Sequence, residues 1–143
     1  MSRVTEYKVL VEWGDCDPAG IVFYPCYFRW FDYATDQLFD EAGLTKDDLI
    51  ARYGVVGRPI AEATSRFLVP SRYRQRFVIR TRVESWQEKR FTVLHQGWRG
   101  EELLFEGRET RVLGARHPEH PDRLRALPIP AELRALFEDA GQA

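Results

Sequence analysis

Gly14-Asp15-Cys16-Asp17-Pro18-Ala19-Gly20-Ile21-Val22-Phe23-Tyr24-Pro25 sets two carboxylates, Asp15 and Asp17, in a turn-forming segment that opens into a long aromatic-rich helical pattern. A carboxylate held in a loop at a helix N-terminus lies beside unpaired backbone N–H groups and the positive end of the helix dipole. That placement suits an acid/base or nucleophilic carboxylate working next to donors that hold an oxyanion. The same residues also read as an N-cap and an Asp-Pro turn, the commoner use of Asp in such positions. Local chemistry alone leaves both readings open.

Upstream, Tyr7, Val9, Val11 and Trp13 alternate with Glu6, Lys8 and Glu12, the period of a half-buried strand. Downstream, Tyr24, Tyr27, Phe28, Phe31, Ala34, Thr35, Leu38 and Ala42 recur at helical spacing and form one apolar stripe ending at Gly43. Arg29, Asp36 and Asp40 fall on the opposite face, and Asp32 lies about 90° from the stripe centre at ~100° per residue. Asp47, Asp48 and Leu49 open a second helix running to about Tyr53. Strands are expected over 60–69, over 77–83 and over 91–98, with residues 97–100 turning the chain into a last strand over 103–113. Residues 117–123 read as a loop and 130–138 as a terminal helix with proline at its start. The order strand, long helix, four strands predicts one α+β domain over 1–143, a mainly antiparallel sheet wrapped around one helix.

The chain is 44% hydrophobic and 13% aromatic, so a core can form without metal or disulfide support. Its formal net charge of −1 argues against a nucleic-acid partner. Cys16 and Cys26 offer no disulfide framework and no support for a Cys/His nucleophile. No apolar run reaches the ~20 residues of a membrane span, and Met1 is not followed by a signal-peptide hydrophobic region. A cytoplasmic location without membrane attachment is expected. His95, His117 and His120 lack metal-ligand spacing, so no metal is expected. His95, in mid-strand, reads as a hydrogen-bonded or surface residue. Arg72, Arg74, Arg76, Arg80 and Arg82 share one strand phase and read as a solvated face, the alternative being that some contact coenzyme A or another subunit.

The opening segment, followed by Tyr27 and Arg29-Trp30-Phe31-Asp32, then Gly54-Val55-Val56-Gly57, Pro59-Ile60, Trp86, Lys89, Phe91 and Leu124-Arg125-Ala126, resembles the 4-hydroxybenzoyl-CoA thioesterase family of hotdog-fold acyl-CoA thioesterases. The likeness spans nearly the whole chain in order. It implies a five-stranded antiparallel sheet around one long helix, dimers with a continuous sheet, often tetramers, and sites shared by two subunits. It implies Asp17 as nucleophile or general base, and the Tyr24 backbone N–H as donor to the thioester oxygen. Asp15 keeps a turn-stabilising role. Asp32 matches the position that accepts a phenolic hydroxyl in hydroxybenzoyl-specific relatives, and Arg58 replaces a small threonine near the acyl pocket. The basic cluster for coenzyme A phosphates is reduced here to Lys89 and Arg90, because Gln87 and Glu88 occupy two of its positions. Coenzyme A enters as part of the substrate, and no separate cofactor is implied.

The function so implied is hydrolysis of an aryl-CoA thioester of the kind met in aromatic degradation. The alternatives are a thioesterase for short- or medium-chain acyl-CoA or acyl-carrier protein, for which Asp32 would be dispensable, and a noncatalytic acyl-CoA-binding module, which would not need Asp17. A hotdog dehydratase is disfavoured because the sequence displays no evident His/Asp or His/Glu pair.

Overall fold

The computed structural model describes residues 2–138. Strand β1 (Thr5–Leu10) is followed by a 3₁₀ turn (Trp13–Asp15) and by helix α1 (Pro25–Glu41); α2 (Lys46–Tyr53) comes next. Strands β2 (Ile60–Phe67), β3 (Arg76–Trp86), β4 (Phe91–Arg99) and β5 (Glu102–Arg111) then complete a five-stranded sheet in the order β1-β3-β4-β5-β2. All four pairings are antiparallel. Two short strands, β6 (Leu113–Arg116) and β7 (Leu124–Leu127), pair with each other before α3 (Ala131–Glu138).

α1 lies across the sheet because its buried face is aromatic along the whole length. Tyr27, Trp30 and Phe31 pack with Phe77, Ile79 and Phe105 at one end, and Leu38 and Phe39 pack with Phe91, Leu133 and Phe137 at the other. Fully burying one such side chain contributes about 1.5–3 kcal/mol. The helix stops where Gly43 takes φ 82° and the Leu44 N–H reaches back to the Phe39 carbonyl, a left-handed C-terminal turn. α2 begins on a capping box in which Thr45 and Asp48 satisfy each other's backbone N–H.

The expected stripe on α1 is corrected at two places. Tyr24 is 61% exposed at the helix cap, outside the core, whereas Trp30 and Phe39 are buried. Gly97 is not part of a turn: it sits inside β4, where an added Cβ would collide with the Phe105 ring, and the β4–β5 turn uses Gly100 at φ 61°. The last strand also ends earlier than its apolar pattern suggests. After Arg111 the chain leaves the sheet, and Val112, Gly114 and Val56 exchange backbone hydrogen bonds that clip it to residues 56–59. That clip brings the loop carrying Arg58 against the end of β5.

β2 is an edge strand, exposed along nearly its whole length, and includes Ile60 and Phe67, each 45% exposed. No helix among the described residues is long and apolar enough to cross a membrane.

Candidate active site

The loop ahead of α1 is a small knot tied by its own backbone. Cys16 and Val22 form a β-bridge, the Phe23 N–H donates to the Asp15 carbonyl, and Val22 is bonded to Ser71. Within it Asp17 is locked. Its N–H donates to the Ile21 carbonyl at 2.9 Å, and its Oδ1 accepts from the Ala19 N–H at 2.9 Å and the Ile21 N–H at 3.4 Å. Both recorded side-chain bonds go to Oδ1, which leaves Oδ2 free to act among the described residues. Asp15 serves the turn itself: it accepts from the Glu12 N–H and pairs with Arg29 at 3.0 Å.

Asp17 lines a cavity of about 530 Å³ with Trp13, Cys16, Pro18, Gly20, Arg72 and Tyr73. Arg72 is therefore not one of a solvated strand face. It precedes β3, bridges to Ile21 through its backbone, and puts a cation beside the carboxylate's cavity. Arg74, with φ 73°, is also off the strand; only Arg76, Arg80 and Arg82 lie on β3. Position ahead of a strand is invisible to a period-two count, which cannot separate Arg72 from them.

At the start of α1 the first donors are accounted for one by one. Pro25 has none, the Cys26 N–H bonds Phe23, and the Tyr27 N–H bonds Tyr24. The Tyr24 N–H has no acceptor among the described residues, so one oriented donor remains at the positive end of a 17-residue helix.

Asp32 and Arg58 sit elsewhere, in a second cavity of about 430 Å³ between α1, α2 and residues 56–60. They do not pair with each other. Asp32, half exposed, is held by Arg111 at 2.9 Å, whereas Arg58 pairs with Asp36 and lays its guanidinium 4.3 Å over the Phe39 ring. Arg111 continues inward to Glu109 at 2.8 Å, and Glu109 to His95 at 2.8 Å. Thr35 donates to Glu109, and Phe31 stacks face to face on the imidazole. A fully buried His/Glu pair thus exists where the sequence displayed none. It is walled into the core, so it supports the cavity from behind and offers no acid or base to a ligand.

The partners assign the His95 tautomer: Nε2–H donates to Glu109 and Nδ1 accepts from Thr81 at 2.8 Å. Burial pushes the imidazolium pKa down against the pull of Glu109, and the ring stays neutral. Burial would raise Glu109, but the hydrogen bond from His95 Nε2–H and the charge and hydrogen bond of the Arg111 guanidinium win and hold its carboxyl well below the usual range. Both shifts are downward, so their stabilisation is whole at neutral pH and is lost on acidification. His95 acts below its ordinary value of 6.5 and Glu109 below 4.5. In that upper window the slope from His95 reaches up to ~1.4 kcal/mol per pH unit. Thermal melts from pH 7 to 5 should fall with pH in the wild type and flatten in His95→Gln; an unchanged slope in the variant would show that His95 does not titrate on unfolding.

Lys89 and Arg90 lie exposed at the β3–β4 hairpin tip, which is closed by the Gln87 N–H donating to the Arg90 carbonyl. They line neither cavity. One chain therefore presents the expected residues in three separate places. No group of three or more His, Cys, Asp or Glu among the described residues is placed to hold a metal ion.

Residues 11–137 match the model of the thioesterase-like superfamily. The chain is 34% identical over 138 residues to the 4-hydroxybenzoyl-CoA thioesterase of Pseudomonas sp. (strain CBS-3), covering 92% of this chain and 96% of that protein. A solved structure of 4-hydroxybenzoyl-CoA thioesterase from that strain superposes with a TM-score of 0.84 at 33% identity, over 94% of this chain and 99% of that one. A 4-hydroxybenzoyl-CoA thioesterase variant with one aspartate changed to asparagine, solved with 4-hydroxybenzoyl-CoA, gives a TM-score of 0.87 at 31% identity, over 96% and 100%. The sheet wrapped around α1 is thus the hotdog fold, and the activity is hydrolysis of acyl-CoA thioesters. The chain belongs to the 4-hydroxybenzoyl-CoA thioesterase family.

Proposed function

We propose that this enzyme hydrolyses aryl-CoA thioesters of the 4-hydroxybenzoyl kind, with Asp17 as the reacting carboxylate. The observation that carries the reading is the pinned Asp17 side chain in the loop feeding a helix whose Tyr24 N–H has no acceptor among the described residues. Asp17 attacks the thioester carbonyl carbon and expels the coenzyme A thiolate, leaving an acyl-aspartyl anhydride that water hydrolyses; as general base it would instead take a proton from the attacking water. In either course the Tyr24 N–H donates to the carbonyl oxygen as it gains charge, a contribution of about 2.7–4 kcal/mol for one such donor. Lys89 and Arg90 contact the coenzyme A phosphates, and no further cofactor takes part.

The working unit is a homo-oligomer, at least a dimer and preferably a tetramer. An exposed β2 edge with apolar side chains is a pairing surface, and a second copy would draw together residues that one chain keeps apart. Sedimentation of the active enzyme at micromolar concentration should give no monomer; an active monomer would sink this assembly.

The acyl group is read by Asp32, whose Oδ1 is held by Arg111 and whose other oxygen accepts the phenolic hydroxyl. A thiol-release assay should therefore favour 4-hydroxybenzoyl-CoA over benzoyl-CoA in kcat/KM by about ten- to a hundredfold, since a polar group that the bound ring covers and leaves unanswered costs ~1–3 kcal/mol. Asp32→Ala should shrink that preference. Equal efficiency on both substrates, unmoved by the substitution, would leave a thioesterase of broader acyl range.

A further inference from the structure

We propose that Arg72 is a further catalytic residue, whose guanidinium pairs with the sulfur as the thiolate leaves. The inference rests on the Asp17 reading above and goes beyond it. It concerns departure of the thiol, which neither Asp17 nor the Tyr24 N–H assists.

Arg72 is fixed in place and its charge is unpaired. Its backbone bridges Ile21, its N–H donates to the Gln75 side chain at 2.8 Å, and its carbonyl accepts from the Gln75 N–H at 3.1 Å. The side chain runs back over the turn that carries Asp17. Nη1 stands 3.7 Å from the point where a Cβ on Gly20 would lie, and Gly20 lines the Asp17 cavity. The residue is exposed, so its guanidinium is open to whatever enters that cavity. Two neighbouring cations are engaged: Arg29 pairs with Asp15, and Arg99 donates to Ser71 and Gln75. Arg72 has no ion-pair partner among the described residues, Asp17 included, although both line one cavity. Asp17 therefore keeps its charge for attack, and the charge of Arg72 is left for something the substrate brings.

Scale decides which part of the substrate that is. A cavity of about 530 Å³ corresponds to a cube roughly 8 Å on a side. An extended pantetheine arm holds the first coenzyme A phosphate roughly 15 Å from the sulfur, at the ~1.2 Å that each bond advances an extended chain. With the thioester carbon against Asp17 Oδ2, a cation in the same cavity meets the sulfur end of the arm, and the phosphates lie beyond it.

The chemistry needs a cation there. Once Asp17 Oδ2 has bonded to the carbonyl carbon, either the carboxylate or the thiolate can depart. An alkyl thiolate is more basic than a carboxylate by roughly 4–5 pKa units, so the intermediate falls back unless the thiolate is stabilised. As the C–S bond breaks, its electron pair goes to sulfur and the guanidinium donates N–H to it, keeping its own protons. Water then hydrolyses the anhydride and supplies the oxygen. One of its protons goes to the thiolate and the other to solvent, and Asp17 returns as the carboxylate.

The test measures thiol release by the purified full-length oligomer from the 4-hydroxybenzoyl thioesters of coenzyme A, N-acetylcysteamine and thiophenol. The second lacks the phosphates, and the third carries a much more acidic thiol that leaves unaided. Arg72→Met should lower kcat/KM by at least about tenfold on the first two alike, and by less than about twofold on the thiophenyl ester. Arg72→Lys should recover part of the loss, with the melting temperature unchanged in both variants. A loss confined to the coenzyme A ester would make Arg72 a phosphate contact, an equal loss on all three a support of Asp17, and no loss a surface arginine. Each of these overturns the inference and leaves the aryl-CoA reading standing. Absence of wild-type turnover on all three overturns both.

Discussion

Asp17→Asn should lower thioester turnover by at least about a hundredfold while leaving the fold and acyl-CoA binding in place. The amide keeps the shape of the side chain, and its oxygen still accepts from the Ala19 and Ile21 N–H groups that fix the loop. What it loses is the charge and basicity that attack on a carbonyl or on water demands. Thermal melting separates the two readings left open by the local sequence. A purely structural aspartate would show its effect in melting temperature, whereas a reacting one shows it in kcat. Turnover within fivefold of the wild type would end the assignment.

Glu109→Leu should be the most destabilising single change at the second cavity. It removes the acceptor of Arg111, His95 and Thr35 at once. Breaking a buried charged pair from one side costs about 3–5 kcal/mol, because the remaining charge is stranded away from water. For a chain of this size the loss corresponds to roughly 10–20 °C in melting temperature. Replacing the set together, as His95→Phe, Glu109→Leu and Arg111→Met, should recover most of that stability, since a well-packed apolar substitute for a buried ionic group is often neutral or better. The triple variant should nonetheless lose acyl-group discrimination, because Asp32 would no longer be held. Circular dichroism melts and the substrate ratio measure the two effects independently. A triple variant as unstable as the single one would show that the network is needed for folding itself.

The sequence by itself determined the architecture and the turn that carries Asp17. Strict alternation in Phe77, Ile79, Thr81 and Val83 appears as buried positions along β3, and the three- and four-residue spacing of aromatics appears as the buried face of α1. Asp17, Pro18, Gly20 and Pro25 are local in sequence and act through their own backbone, so a turn and a helix start could be read from them directly. Lys89 and Arg90 were likewise legible as a hairpin tip, because the strands on either side announce it.

Tertiary structure alone decided the partners. Glu109 and Arg111 fall in the inward phase of β5 with Phe105 and Gly107, a pattern that the sequence contains, but nothing local says that His95 on β4 and Asp32 on α1 complete it. Arg58 was expected near the acyl pocket and does share a cavity with Asp32, but its ion pair is with Asp36 and its guanidinium lies on the face of Phe39. Arg72 was grouped with a strand and instead lines the cavity of Asp17. The reason is physical. Period and capping depend on residues a few positions apart, whereas an ion pair depends on which distant backbones the packed core brings within about 4 Å, and several carboxylates compete for each guanidinium until the core is closed.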